Sequence, residues 1–232
     1  MGIRILKGGM MTTVQDLGRY GYQSQGFSVA GVMDVRSFKI ANLLLDNPEN
    51  EAVLEITLIG PTLEFTSATI IAITGGDFQP TINGEPAPMY TALYMNKGDV
   101  LKFGSARTGS RGYIAFSSYL DIPVVMGSRC TNLKSGLGGF KGRKLEADDY
   151  IGFRIKRRYL PFFLSRKLDM DEFDQTEATL RVVMGPQDGM FSKQGIQTFL
   201  GSEYTVTNEF DRMGCRIERE PIEHVGDGNI NT

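Results

Sequence analysis

A chain of 232 residues, 41% hydrophobic and 22% charged, has the composition of a globular protein large enough to bury a real core. Its formal net charge of −2 lacks the concentrated positive charge that nucleic acid or an anionic membrane surface calls for, and no apolar run reaches the length of a membrane span. Its two cysteines, Cys130 and Cys215, lie too far apart to make a paired metal or redox motif, which points to a reducing cytoplasm.

The N-terminus "MGIRILKGGMM" lacks the apolar core of a secretory signal, and Leu6 stands where a myristoylation motif needs Ser or Thr. "IRIL" reads as a first strand. From Thr12 to Asp34 runs "TTVQDLGRYGYQSQGFSVAGVMD", with four glycines and neither helical period nor strand alternation. Glycine permits positive φ and close backbone approach, so this is an irregular loop, either purely structural or shaped to hold a ligand. A helix follows over "DVRSFKIANLLLDN", with Asp34 as N-cap and Phe38, Ala41, Leu44 and Leu45 on one face.

Short strands then dominate. "AVLEITLIGPTLEF" gives two, broken at Gly60-Pro61, and "ATIIAITGG" gives a buried one. "PTINGEPAPMYTALYM" carries the Asn83-Gly84 hairpin signal, and "GDVLKFG", "RGYIAFSSYL" and "DDYIGFRI" add three more. Such spacing predicts a barrel or closed sandwich. The charge-dense "KRRYLPFFLSRKLDMDEFDQTEATL" reads as a linker over 156–179, separating an N-terminal domain (1–155) from the start of a second (180–232). The second half opens on a strand in "LRVVMGPQDGMF" and a helix in "MFSKQGIQTFLGS", with Gly201 as C-cap. His224, the one histidine, lies in a polar, glycine-bearing tail. That argues against a Ser-His-Asp triad, a His-rich zinc site or an H-E-x-x-H protease.

Several polar stretches could carry chemistry. "GSARTGSR" has P-loop glycine spacing but Ser110 and Arg111 where Lys and Ser/Thr are required, and "SGLGGFKGRK" misses the dinucleotide pattern at Lys141. Backbone amides with Lys141, Arg143 and Lys144 could still cradle phosphate; a surface loop is the alternative. In "PVVMGSRCTN", Arg129 can bind a carboxylate or phosphate bidentately, with hydrogen bonds from Ser128 or Thr131. A structural turn is the alternative. "MGPQDGMF" and "NEFDRMGCR" repeat the theme with Gln187 and Asp188, then Asp211 and Arg212.

Taken in order, "TTVQDLGRYGYQSQGFSVAGVMD", "ANLLLDN", "LEITLIGPTLEF", "ITGGD", "GSRCT", "GPQDGMF" and "EFDRMG" resemble the biotin-dependent carboxyltransferase, or allophanate hydrolase subunit 2, family. That family includes the C component of bacterial ATP-dependent 5-oxoprolinase, KipA-type regulators and the carboxyltransferase region of urea carboxylase. The resemblance implies a mainly β fold with a few helices: two cyclophilin-like β-barrel halves in tandem, the second incomplete here. It implies a KipI-like protein and a LamB/YcsF-like protein as partners, with ATP and Mg²⁺ used to open 5-oxo-L-proline to L-glutamate. Gln15, Asp16, Arg19 and Asp34 then line the region between halves or between partners, and Asn42 and Glu55 belong to the same matched set. Arg19, Arg129 and Arg212 are the cations expected to stabilise phosphate or a substrate carboxylate. Asp34, Asp188 or Asp211 would handle protons or Mg²⁺. Gln15, Asp16, Asn42, Glu55, Ser128, Thr131 and Gln187 would bind substrate or nucleotide, and no side-chain metal site is expected.

Three departures stand out. Ser118-Tyr119 replaces the family's Gly-Gly before Asp121-Ile122-Pro123, and Cys130 replaces Ser in Gly-Ser-Arg-Ser-Thr. The Gln-Val-Pro and Thr-Gly-Gly-Tyr segments that complete the second barrel of relatives are absent, so strand edges and apolar surface should be left uncovered. Two other functions remain open. One is carboxyl transfer to urea or a similar amide, with biotin carried by a partner. The other is a KipA-type, non-enzymatic role of binding a KipI-like protein.

Overall fold

A computed structural model describes residues 1–157, 159–169, 179, 181–210, 212, 214–218 and 221–225, without the side chains of 208, 210 and 215. The chain divides into two compact units, Met1–Gln175 and Thr176–Thr232.

In the first unit the strands are β1 (Gly2–Lys7), β2 (Met11–Gln15), β3 (Val53–Thr57), β4 (Thr62–Phe65), β5 (Thr69–Asp77), β6 (Thr81–Ile82), β7 (Glu85–Pro86), β8 (Ala92–Met95), β9 (Val100–Lys102), β10 (Thr108–Phe116) and β11 (Tyr150–Gly152). One helix, α1 (Val35–Leu44), lies between β2 and β3. The strands form two antiparallel sheets, ordered β11-β1-β4-β9-β6-β7 and β2-β3-β10-β5-β8. The mainly β expectation holds, but neither sheet closes into a ring. They close by packing: Ile3, Ile5, Leu63, Phe65 and Leu101 of the first meet Leu54, Ile56, Ile71, Ile73, Ile114 and Phe116 of the second in one core.

Period-two alternation gives the five-stranded sheet a second buried face. Ile70, Ala72, Tyr113 and Ala115 point the other way, against Phe38, Ala41, Leu44 and Leu45 of α1. Burial on both sides is why β5 and the end of β10 read as continuous apolar runs. Both edges of this sheet are covered by irregular chain. Thr131 N–H donates to Val14 O (2.9 Å) and Leu145 N–H to Thr12 O (2.8 Å) along β2, while Ala92 N–H donates to Arg166 O (2.8 Å) beside β8. Residues 156–157 and 159–169 of the stretch expected as linker lie on the first unit: Leu160 is buried against the α1 layer, and Ser117 Oγ donates to Arg157 O (2.9 Å).

The second unit holds α2 (Lys193–Gly201) and a hairpin of β12 (Thr205–Phe210) with β13 (Cys215–Glu218). Ser192 caps α2 by accepting from Gly195 N–H (2.9 Å), and Ser202 rather than Gly201 is its C-cap. The strand expected at "LRVVMG" does not form over 181–184. No ladder partner runs beside it among the described residues, and Val182, Val183 and Met184 stand exposed.

Candidate functional site

The stretch read as a loop from Thr12 begins as strand: Thr12–Gln15 belong to β2 and pair in register with β3. After Gln15 the chain doubles back on itself. Val32 N–H donates to Asp16 O (2.9 Å) and Arg19 N–H to Val29 O (2.8 Å). Gly18 (φ 108°) and Gly31 (φ 88°) sit where the two passes touch, and a Cβ on Gly31 would come 2.8 Å from the Leu17 carbonyl carbon. Close approach, rather than an open ligand surface, accounts for those two glycines.

Asp16 is the hub of the fold-back. Its Oδ1 accepts from Gly18 N–H (2.9 Å) and Ser128 Oγ (2.7 Å), and its Oδ2 accepts from Arg129 N–H (2.6 Å). Arg19 is fully buried at 0% exposure. Its Nε donates to Val125 O (3.2 Å) and its Nη2 to Cys130 O (3.1 Å), while Nη1 has no hydrogen-bond partner among the described residues. Gln15 Nε2 donates to Thr131 O (3.2 Å) and Thr13 Oγ1 (2.9 Å), and Thr131 Oγ1 donates to Val14 O (2.9 Å). Six residues singled out from sequence thus share one network: Gln15, Asp16, Arg19, Ser128, Arg129 and Thr131. Most of them brace backbone. Arg129 differs: half-buried, it donates Nε to Ile122 O (3.0 Å), and no terminal guanidinium nitrogen is bonded among the described residues. Asp16 fixes the peptide of Arg129, so the free end of that guanidinium is a positioned cation.

The glycine loop 135–144 packs onto this network and does not form an open phosphate cradle. Gly139 N–H is spent on Arg129 O (3.2 Å) and Gly142 N–H on Gly138 O (2.8 Å). A Cβ on Gly138 would fall 2.3 Å from Cys130 O. Arg143 is engaged too, with Nη1 and Nη2 each 2.7 Å from the Asp149 carboxylate. That pairing holds the Asp149 carboxyl below its ordinary range. Burial pushes the Cys130 thiol up, so it stays protonated and unreactive at neutral pH.

A second polar group lies where α1 begins. Asp34 caps the helix, accepting from Ser37 N–H (3.0 Å) and Ser37 Oγ. Its N–H donates to Tyr113 Oη (2.7 Å), which donates in turn to Glu55 Oε2 (3.0 Å); Met33 N–H reaches the same oxygen (2.8 Å). Burial first, and then the Glu55 charge, raise the Tyr113 phenol far above its usual value, so it works as a neutral donor. Arg111 Nε stands 4.0 Å from Glu55 Oε1. Tyr113 was not singled out from sequence, yet it faces Glu55 directly across the β3–β10 register. A hydroxyl-bearing aromatic opposite a carboxylate in an apolar strand pair was the available signal. Asn42 belongs to neither group. It donates Nδ2 to Glu51 O (2.8 Å) and accepts from Asn47 Nδ2 (3.1 Å), tying the end of α1 to the turn after it.

In the second unit Gln187 and Asp188 are exposed in a turn before α2, where Asp188 O accepts from Phe191 N–H (3.1 Å). Arg212 is half-buried and not free, and Asp211 lies outside the described residues.

Comparison with known proteins decides the family. The family model described as "Carboxyltransferase domain, subdomain A and B" matches residues 25–232. The chain belongs to that family. Within it, the chain is 31% identical over 232 residues to the C component of 5-oxoprolinase from Escherichia coli, covering 98% of this chain and 72% of that protein. It is 32% identical over 225 residues to urea amidolyase of Lachancea kluyveri, covering 90% of this chain and 12% of that one. Among solved structures, the K. lactis urea amidolyase superposes with a TM-score of 0.82 at 29% identity, over 96% of this chain and 14% of that chain. Family members are thus parts of multi-subunit or multidomain enzymes, and this chain is similar to one such part.

Proposed function

We propose that the chain acts as the C component of an ATP-dependent 5-oxoprolinase, working with a KipI-like partner and a LamB/YcsF-like partner to open 5-oxo-L-proline to L-glutamate. One observation carries this reading. The match to the E. coli 5-oxoprolinase component spans 72% of that protein, whereas the urea amidolyase match spans 12% of a much longer chain.

A lactam is a stable amide; phosphoryl transfer from ATP to its oxygen, releasing ADP, would open the ring carbon to water. The C–N bond then breaks with the amine leaving, and a second water releases phosphate from the acyl phosphate. This chain's contribution is electrostatic. Arg129, held by the Asp16–Ser128 network, presents a guanidinium to a phosphate or to the substrate carboxylate. Arg19 supports it from below by fixing the Val125 and Cys130 carbonyls. Asp34 and Glu55 brace the start of α1, the first by capping the helix and the second, buried, by accepting from Tyr113 and Met33. No group of three or more His, Cys, Asp or Glu suited to a metal ion exists among the described residues. In this reading Mg²⁺ arrives with the nucleotide, held by phosphates and water.

The test is ATP hydrolysis by the chain mixed with candidate KipI-like and LamB/YcsF-like partners, with and without 5-oxoproline. We expect turnover that requires 5-oxoproline and drops at least 100-fold in Arg129→Ala, with the melting temperature unchanged. Equal turnover without 5-oxoproline, or none despite a stable complex with the KipI-like partner, would sink the reading. The second outcome favours a KipA-type binding role. Similarity of 32% to a urea amidolyase supports one other reading, carboxyl transfer to a urea-type amide from biotin carried on a partner. Incorporation of labelled bicarbonate into urea in the presence of a biotin carboxylase and a biotinylated protein would favour it.

A further inference from the structure

Asn83 is the one asparagine of the sequence followed by glycine, and that step forms the tip of the β6–β7 hairpin at the edge of the six-stranded sheet. Both residues are exposed, and a Cβ placed on Gly84 would meet nothing within 4 Å. The backbone nitrogen after Asn83 is therefore crowded neither by a side chain of its own nor by neighbours. An unhindered nitrogen next to an asparagine side-chain amide is the arrangement that lets a chain attack itself. The amide is nonetheless held. Asn83 Nδ2 donates to Asp99 Oδ1 (2.8 Å), and Asn83 Oδ1 accepts from Val100 N–H (2.9 Å). Its own N–H donates to Val100 O (2.9 Å). Asp99 is engaged on its other oxygen as well, Oδ2 accepting from Asn96 N–H (2.7 Å). The carboxamide thus latches the hairpin to the start of β9, and both of its polar atoms must let go before Cγ can swing toward Gly84 N.

We propose that Asn83 is a site of spontaneous deamidation, restrained by this latch, and that its conversion to aspartate loosens the β6–β7 hairpin from β9. In the reaction Gly84 N bonds to Asn83 Cγ, the Cγ–Nδ2 bond breaks, and ammonia leaves with the proton given up by Gly84 N. Water then opens the succinimide at either carbonyl, giving aspartate or isoaspartate. The new carboxylate has no N–H to give, so it meets the Asp99 carboxylate where a hydrogen bond stood, like charge against like. Isoaspartate also adds a methylene to the backbone, which breaks the two-residue turn. In the order β4-β9-β6-β7, β6 covers the outer side of β9, and Ile82 of β6 lies opposite the fully buried Leu101. Loosening the hairpin therefore uncovers a strand edge and one side of the core.

The experiment follows Asn83 in the full-length chain by peptide mapping and mass spectrometry during incubation in mildly alkaline buffer below Tm. Conversion should be fast in denaturant and slow in the folded parent. In folded Asp99→Ala it should run roughly tenfold faster than in the parent, the effect of one hydrogen bond to a charged acceptor on a local opening. Asn83→Asp imitates the product and should lower Tm by roughly 3 °C or more. Combining Asn83→Asp with Asp99→Asn exchanges donor and acceptor and still leaves an oxygen for Asn96 N–H, so the pair should recover most of that loss. No conversion in denaturant removes the site. A folded parent that converts as fast as the denatured chain, or an Asp99→Ala protein that converts no faster than the parent, removes the latch. An unchanged Tm in Asn83→Asp, or a loss that the exchange does not repair, overturns the loosening of the hairpin.

Discussion

Asp16, a functional candidate in the sequence, and Asp149 both show a buried carboxylate committed to structure. Each is saturated by donors: Asp16 by two backbone amides and a hydroxyl, Asp149 by the Arg143 fork and Glu146 N–H (2.8 Å). Asp149 offers a clean titration. Its folded pKa lies below the unfolded value, so it adds stability that is fully present above about pH 3.9 and lost as pH falls through the folded pKa. Asp149→Asn should be less stable than the parent at neutral pH. The gap should close as pH is lowered below about 4, as followed by thermal melts in a pH series. A gap that stayed constant down to strongly acid pH would remove the ion pair from the account. Arg19, expected from sequence to meet a ligand, is the largest of the fully buried side chains among the described residues. Nothing in residue identity distinguishes a guanidinium that binds phosphate from one that binds carbonyls.

Regular elements were legible where local chemistry dictates them. The Asn83-Gly84 turn joins β6 and β7 in register, with Asn83 at φ 54° and Gly84 at φ 93°, the left-handed pair that such a turn requires. The span of α1 followed from its apolar spacing and its cap. Replacing that cap, Asp34→Ala, should cost about 1 kcal/mol, read as a fall of roughly 2–4 °C in Tm; no change would mean that Tyr113 alone holds the helix start. The start of β2 was illegible because its residues, Thr12, Thr13 and Gln15, are polar yet buried, and Gln15 Nε2 finds its backbone partner, Thr131 O, more than a hundred residues away. The strand expected at 181–184 failed for the opposite reason: its pattern is right, but a strand exists only beside another. The candidate site was half readable. Its residue types and their grouping were visible, whereas the division into braces and one presented cation depends on contacts between residues 12–34 and 122–142.

At the scale of the molecule the two units are unequal. The first has two buried clusters, while no hydrophobic residue of the second is fully buried among those described. Residues 1–175 expressed alone should therefore melt cooperatively near the temperature of the whole chain, whereas 176–232 alone should show no cooperative transition by calorimetry. Loss of cooperativity in the larger fragment would mean that its core depends on the remainder. The pairing of β1 with β11 sets a further condition, on how the protein is made. Ile3 lies opposite Ile151, so during synthesis the first strand of this unit must wait for its last. At about 5–20 residues per second that wait lasts on the order of ten seconds or more. Through that interval one edge of β1 is open to any other nascent strand, so the yield of native protein should rise when translation is fast or a chaperone shields the emerging chain.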